Sequence, residues 1–142
     1  MEIFNFKVEI HKDNLDEIVE RSCCIAKESG VQEENLFSYR LAVDEIFTNS
    51  LKHAYNNDKG YIHIAAKIDK NYLITEIEDY GCGFQASNKM YDENEICKQL
   101  KNCGKGLLIV KKFTDRVEIV SLPGKGTTVK FYMKLAKTAN PS

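Results

Sequence analysis

The sequence predicts an α+β domain, a two-layer α/β sandwich in which a mixed, mostly antiparallel sheet carries helices on one face. Hydrophobic alternation with a period of two recurs in several short stretches, while other stretches repeat their apolar residues at helical spacing. Successive strands are joined by tight turns, which favours antiparallel neighbours with helices on one side. The predicted order is strand, two helices, two strands, a polar segment, one helix and two strands.

The first part of the chain predicts one strand and two helices. Glu2–Ile10 alternates between apolar and polar residues, as a strand does. Asp13 or Asn14 is suited to cap the first helix, and Gly30 is suited to end it in the left-handed conformation. The second helix follows and extends to about Tyr55. Its predicted apolar stripe consists of Leu41, Ile46, Phe47, Leu51 and Ala54.

The rest of the chain predicts four strands and a third helix within the same domain. The strands are Tyr61–Ile68, Tyr72–Glu78, Arg116–Ser121 and Gly126–Leu135. A hairpin turn at Asp69–Asn71 joins the first two, and the helix spans Leu107–Phe113. Residues 85–102 are polar and lack periodicity, with a short helix near 94–100, and the tail 137–142 is expected to fray. No repeat or linker divides the chain, so residues 1–142 are expected to form a single domain.

Composition excludes several classes of protein. A chain of 142 residues with 43% hydrophobic and 29% charged residues fits one ordinary globular domain. The net charge of -1 argues against nucleic acid as a direct partner. No apolar run approaches the roughly 18 to 20 residues of a membrane helix, and the N-terminus lacks the features of a signal peptide. We therefore expect a cytoplasmic protein without membrane association.

The cysteines favour neither a disulfide framework nor a zinc site. Their number, five, is odd, and no C-x-x-C spacing occurs. A reducing compartment fits this pattern best. Cys82 lies inside a glycine motif, and a reactive thiol there is not the favoured interpretation.

Glu45 and Asn49 lie four residues apart on the second predicted helix and therefore share one face. A carboxylate can accept a proton or orient a water, and an amide oxygen one turn on can ligate a hard cation such as Mg²⁺. Taken alone, such a pair is more typical of a solvated helix face. The glycine motifs downstream shift the balance toward a functional site.

Two of these motifs suit contact with a nucleotide. Asp79-x-Gly81-x-Gly83 follows a strand, where glycines let the backbone approach a ligand and the aspartate can accept hydrogen bonds from an exocyclic amine. A plain strand-to-loop turn is the alternative. Gly104–Gly106 opens a helix, so its N–H groups can cradle a phosphate, although glycine chosen for clearance is equally compatible.

A third motif, Gly126–Thr128, is by itself more typical of a hairpin. The familiar nucleotide motifs are absent, because neither Gly-Lys pair has Walker A spacing and Ala86 replaces the third glycine of a dinucleotide fingerprint. The protein-kinase H-R-D and D-F-G blocks do not occur either.

Together, in this order, the four blocks resemble the GHKL ATPase superfamily of gyrase, heat-shock chaperones, histidine kinases and MutL. Glu45-x-x-x-Asn49 is similar to its N box, Asp79-x-Gly81-x-Gly83 to its G1 box, Gly104-x-Gly106-Leu107 to its G2 box, and Gly126-Thr127-Thr128 to its last glycine-threonine block. The stretch from Glu45 to Tyr55 is most similar to the anti-sigma-factor serine kinases of bacteria. The resemblance covers about residues 5–136. It departs after Phe84, where Gln-Ala-Ser replaces the Asp-Pro common in that branch.

The resemblance implies a Bergerat-type ATP-binding fold and a role for each matching residue. Asn49 would ligate Mg²⁺ and Glu45 would be the general base. Asp79 would bind the adenine amine, with Thr128 or Thr127 beside it. The remaining ATP-binding positions would be Gly81 and Gly83 in the base pocket and Gly104, Lys105, Gly106 and Leu107 at the phosphates. Residues 85–103 would form a lid over ATP. His53 recurs in the branch motif, where a structural hydrogen bond suits it as well as a catalytic role.

The same resemblance implies the activity and the partners. We expect a serine/threonine protein kinase that uses Mg-ATP, phosphorylates an anti-anti-sigma (STAS) protein, sequesters a sigma factor and forms a homodimer. The roughly 40 residues before the N box have the pattern of one strand and most of two helices, so we do not expect the dimerisation helix and phosphoacceptor histidine of a sensor histidine kinase there. The alternative function is an ATP-binding regulatory module with little or no phosphotransfer, and an inert scaffold is disfavoured because all four blocks are intact.

Overall fold

The helices and strands follow one another in the predicted order. The computed structural model describes residues 2–55, 59–81, 106–122 and 125–135. The elements are the strands β1 (Glu2–Ile10), β2 (Gly60–Asp69), β3 (Tyr72–Asp79), β4 (Arg116–Leu122) and β5 (Gly126–Lys134), the helices α1 (Leu15–Ser29), α2 (Glu33–Asn49) and α3 (Gly106–Phe113), and a π-helical turn at Ser50–Ala54. None of the described helices combines the length and the apolar character needed to cross a bilayer.

The strands form one sheet in the order β1-β2-β3-β5-β4. Each neighbouring pair is antiparallel. Two helices connect β1 to β2. The start of β2 lies beside the end of β1, where Ile10 pairs with Gly60, so the two strands run in opposite directions. β4 runs in the same direction as β3, but β5 lies between them. The sheet, predicted to be mixed but mostly antiparallel, is therefore antiparallel at every described pair.

The ends of α1 match the prediction in position, but its first turn lacks the predicted cap. Asn14 occupies the N-cap position and makes no capping bond. Its side chain instead accepts from the N–H of His11 at 2.8 Å and donates to the carbonyl of Glu9 at 2.9 Å. Gly30 ends the helix at φ 109°, which confirms the predicted left-handed C-cap.

The predicted hairpin between β2 and β3 is confirmed. Asp69 pairs with Tyr72, which leaves the two-residue loop Lys70-Asn71. Both loop residues have positive φ, 50° and 72°. Two positive φ values in succession are typical of a type I′ turn, whose twist matches that of the strands. The backbone of Asn71 also accepts from the N–H of Leu135 at 2.9 Å, just after β5.

The core lies between the helices and one face of the sheet. α2 is the central helix, since it packs against both α1 and α3. The hydroxyls of Tyr39 on α2 and Thr75 on β3 share a buried hydrogen bond of 2.9 Å. The stripe predicted for the second helix is confirmed at Ile46 and Phe47 on α2 and at Leu51 in the π-helical turn, all buried. Leu41 is only half-buried, because Ala42 and Val43 occupy the core-facing positions there.

The second predicted helix changes form at Ser50. It is α-helical to Asn49 and then forms the π-helical turn, in which the N–H of Tyr55 donates to the carbonyl of Ser50 at 3.1 Å. The predicted helix to about Tyr55 is thus confirmed in extent, whereas its change to a π-helical turn was not predicted. Apolar periodicity does not distinguish the two forms over so short a stretch, and π-helical turns are frequent at functional sites.

Candidate functional site

Asp79 ends β3 with a buried carboxylate that accepts three hydrogen bonds. Its side chain lies on the helix-facing side of the sheet, and the residue is 6% exposed. One oxygen, Oδ1, accepts from the N–H groups of Gly81 and Thr127, each at 3.1 Å. The other, Oδ2, accepts from the hydroxyl of Ser50 at 3.1 Å. The carboxylate thus connects the end of β3, the start of β5 and the end of the central helix.

Opposing effects act on the charge of this carboxylate. Burial raises the pKa of Asp79 above its ordinary value of 3.8, and the charge of Glu78 raises it further. The hydrogen bonds from Gly81, Ser50 and Thr127 counteract the shift because they favour the charged form. Among the described residues, the bonds to Asp79 use only part of its accepting capacity, and such a buried carboxylate is suited to bind a donor group of a ligand.

Gly126 allows β5 to approach Asp79 this closely. Its φ is +85°, and a Cβ built there would lie 2.2 Å from the backbone oxygen of Asp79. Any larger residue would have to displace that backbone. Next to it, the hydroxyls of Thr127 and Ser121 share a hydrogen bond of 2.6 Å, which fixes the first residues of β5 against β4.

Tyr55, which follows the π-helical turn, forms hydrogen bonds from the helix end to the sheet. Its hydroxyl donates to the carbonyl of Tyr61 on β2. It also accepts from the N–H of Tyr80, just after Asp79, at 2.7 Å. Gly60 leaves room for the ring, since a Cβ there would lie 2.5 Å from it. The end of β3 is thus held to the helix end at two successive residues, Asp79 through Ser50 and Tyr80 through Tyr55.

Glu45 and Asn49 lie one turn apart near the end of α2, and both are half-buried. Burial raises the pKa of Glu45, the neighbouring charge of Asp44 adds to the shift, and Lys52 opposes it. A carboxylate with a raised pKa is a better proton acceptor while it remains ionised. Ser50 follows Asn49 directly, so the bond from Ser50 to Asp79 links this pair to the carboxylate on β3.

The side-chain amide of Asn49 offers an oxygen donor that suits Mg²⁺. No group of three His, Cys, Asp or Glu side chains among the described residues is arranged to hold a metal. Mg²⁺ commonly takes only one or two protein oxygens and completes its shell with phosphates and water. The amide oxygen of Asn49 is a ligand of that kind.

The structure brings part of the predicted ATP-binding set together. Asp79, the backbone of Gly81 and Thr127 form one hydrogen-bonded group. Thr128 pairs with Glu78 and belongs to the opposite face of the sheet, so Thr127 is the threonine beside the aspartate. The remaining predicted positions, which lie apart from this group or outside the described residues, are placed as follows. Gly106 and Leu107 begin α3, which packs on α2. The other predicted positions lie outside the described residues: Cys82, Gly83, Gly104, Lys105, the lid 85–103 with its helix 94–100, and the tail 137–142.

Three contributors to the site received no role from the sequence. Ser50 and Tyr55 reach Asp79 and Tyr80 only because the helix end lies against the end of β3. Gly126 is visible in the sequence as part of the last glycine block. The structure gives the reason for the glycine: a side chain there would collide with the backbone of Asp79. Ser50 has a weaker signal, a small hydroxyl residue directly after Asn49.

Comparisons with known proteins place the sequence in a family. Residues 9–133 match the family described as the histidine kinase-like ATPase domain. The anti-sigma F factor of Clostridium acetobutylicum is 30% identical over 104 residues, 72% of this chain and 73% of that protein. The anti-sigma F factor of Caldanaerobacter subterraneus is 34% identical over 98 residues, 68% of each chain. The serine-protein kinase RsbW of Staphylococcus aureus is 29% identical over 119 residues, 79% of this chain and 75% of that protein.

The match covers nearly all of the described elements, from the end of β1 to β5. It includes the central helix with Glu45 and Asn49, the end of β3 with Asp79 and the start of β5 with Thr127. The fold class and the GHKL resemblance predicted from the sequence are thereby confirmed. The chain belongs to the histidine kinase-like ATPase domain family.

Proposed function

We propose that this chain is an ATP-dependent serine/threonine protein kinase that acts as an anti-sigma factor. Its phosphoacceptor is an anti-anti-sigma (STAS) protein, its second partner is a sigma factor, and it works as a homodimer in the cytoplasm. The observation that carries the proposal is the Asp79 carboxylate, bonded to the residue that directly follows Asn49. Relatives named anti-sigma F factor and serine-protein kinase support the choice of partners.

The adenine end of the nucleotide is assigned to Asp79. The amine of adenine donates to the carboxylate, and the fixed backbone around Gly81 and Thr127 keeps that acceptor in place. The phosphates extend toward the start of α3, where Gly106 is the first residue of the helix. Unpaired N–H groups at a helix start favour an anion.

The reacting end is assigned to α2. Glu45 accepts the proton of the attacking serine hydroxyl, a task for which its raised pKa suits it. Asn49 supplies an amide oxygen to Mg²⁺, which neutralises phosphate charge when bound. Phosphoryl transfer depends on such positioning and charge neutralisation more than on covalent chemistry by the protein. The rigid packing of α2 between α1 and α3 supplies that positioning.

The decisive experiment compares Glu45→Gln with the wild type. Each protein is incubated with Mg-ATP labelled on the γ-phosphate and with the STAS protein encoded nearby. We expect serine labelling by the wild type and a loss of about 10²- to 10⁴-fold in Glu45→Gln, with ATP affinity kept. Glu34→Gln is the matched control, because this carboxylate is exposed in the first turn of the same helix, and its labelling should stay near the wild-type rate.

Two outcomes would contradict the proposal. Absence of transfer from the wild type to any STAS protein would remove the kinase activity. Partner regulation that persists unchanged in Glu45→Gln would favour the ATP-binding regulatory module with little or no transfer. Light scattering of the purified chain tests the homodimer separately.

A further inference from the structure

Ser50 is a buried hydroxyl residue in contact with the proposed adenine-binding carboxylate. It is 4% exposed and begins the π-helical turn directly after Asn49. Its Oγ lies 3.1 Å from Oδ2 of Asp79. The sequence motifs assign it no role, and the proposed phosphoryl transfer does not use it.

The hydrogen bonds of Asp79 leave room for one further donor on a particular atom. An ionised carboxylate offers about four acceptor positions, two on each oxygen. The N–H groups of Gly81 and Thr127 occupy both positions on Oδ1. Ser50 occupies one position on Oδ2. Among the bonds that the described residues make, one acceptor position on Oδ2 remains.

The hydroxyl of Ser50 also stabilises the accepting character of that position. Because an ionised carboxylate only accepts, the hydroxyl must donate its proton toward Oδ2. This bond stabilises the charged form of Asp79, and a charged Oδ2 receives a donor and repels an acceptor. Adenine presents an amine at its 6-position, whereas guanine presents a carbonyl oxygen there.

We propose that Ser50 is a positioning residue that determines base specificity, holding Oδ2 of Asp79 ready for the 6-amino group of adenine. The inference rests on the proposed assignment of Asp79 to the adenine amine and deepens it. Without the hydroxyl, Oδ2 is buried with one partner fewer, so the ionised carboxylate becomes more costly. A protonated Asp79 would then be able to donate to a guanine oxygen, and discrimination between the bases would shrink.

The test measures whether the Ser50 hydroxyl and the 6-amino group act on each other. Calorimetry gives the affinity of Mg-ATP, Mg-GTP and the Mg²⁺ complex of purine riboside triphosphate, which lacks the 6-amino group. We expect Ser50→Ala to lose about tenfold in affinity for ATP, the effect of one bond to a charged group, and much less for the purine analogue. The preference for ATP over GTP should fall with it.

Ser22→Ala is the matched control. Ser22 is 3% exposed, and its hydroxyl donates to the carbonyl of Ile18 at 2.9 Å within α1, away from the site. This variant removes a hydroxyl of equal burial and should leave all three affinities unchanged. Thermal unfolding of each variant verifies the fold, and Ser50→Cys, whose thiol donates weakly, replaces Ser50→Ala if the latter does not fold.

Each outcome decides the inference separately from the proposed function. An equal loss for ATP and the purine analogue would assign Ser50 a purely structural role and overturn the inference, as would unchanged affinities in Ser50→Ala. If instead the wild type binds ATP no more tightly than the purine analogue, the adenine assignment of Asp79 itself fails, and the inference fails with it.

Discussion

At the scale of single residues, Asp79 connects the fold to the proposed nucleotide. Its carboxylate accepts from the backbone of two segments and from one side chain. We expect Asp79→Asn to weaken ATP binding by about 10- to 100-fold, because an amide replaces a charged acceptor of the adenine amine. Calorimetry should show a far smaller change for Glu45→Gln. Equal ATP affinity in wild type and Asp79→Asn would contradict the assignment.

The same substitution has a predictable effect on stability without nucleotide. Burial raises the pKa of Asp79 in the folded state above its ordinary 3.8, so the folded protein binds more protons than the unfolded chain between these two values. The contribution of Asp79 to stability is therefore present below that window and lost as the pH rises through it. The variant Asp79→Asn does not titrate there.

Urea unfolding of both proteins at several pH values measures the difference. We expect the free energy of unfolding of the wild type, relative to Asp79→Asn, to decrease from pH 4 to pH 7. Asp44 and Glu45 also have raised pKa values, but they are present in both proteins and cancel in the comparison. A difference that stays constant or increases with pH would show that burial does not control this carboxylate.

At the scale of elements, the start of β5 depends on a glycine at its first position. Gly126→Ala would put a side chain on a residue with a φ of +85°, and its Cβ would lie 2.2 Å from the backbone oxygen of Asp79. We expect it to lower the free energy of unfolding by more than about 2 kcal/mol and to weaken ATP binding, since Thr127 must move with the strand. Gly30→Ala is the control, with φ +109° and its nearest contact at 3.8 Å. It should cost about 1 kcal/mol and leave ATP affinity unchanged.

The elements themselves were predictable from local pattern, whereas the contacts among them were not. The alternation of apolar and polar residues predicted the strands. Gly30 ends α1, and Lys70-Asn71 forms the turn between β2 and β3, as the residue types at these positions predicted. The bond between Asp79 and Thr127 joins residues 48 positions apart through the pairing of β3 with β5, which no local pattern specifies. The π-helical turn that begins at Ser50 is likewise set by tertiary packing. The family resemblance supplied roles for the motif residues, but Ser50 and Tyr55 required the fold.

At the scale of the whole molecule, the proposed site joins parts of the chain that are distant in sequence. The end of α2, the end of β3 and the start of β5 meet at one edge of the sheet, where Asp79 bonds to Ser50 and Thr127. The sheet order places β5, from the last part of the chain, beside β3, so residues from distant parts of the sequence meet at the end of these two strands. A ligand that binds there must stabilise the folded domain as a unit, since only the folded state assembles the site.

Thermal unfolding tests that global coupling. At a free Mg-ATP concentration of about 100 times Kd, binding stabilises the folded state by about 2.7 kcal/mol. For a domain of this size each kcal/mol raises Tm by roughly 2–4 °C, so we expect an increase of roughly 5–10 °C. The same nucleotide concentration should shift Asp79→Asn much less, and GTP should shift the wild type much less than ATP. An equal shift with ATP and GTP would mean that the phosphates alone account for binding, and that the buried carboxylate at the end of β3 does not contact the base.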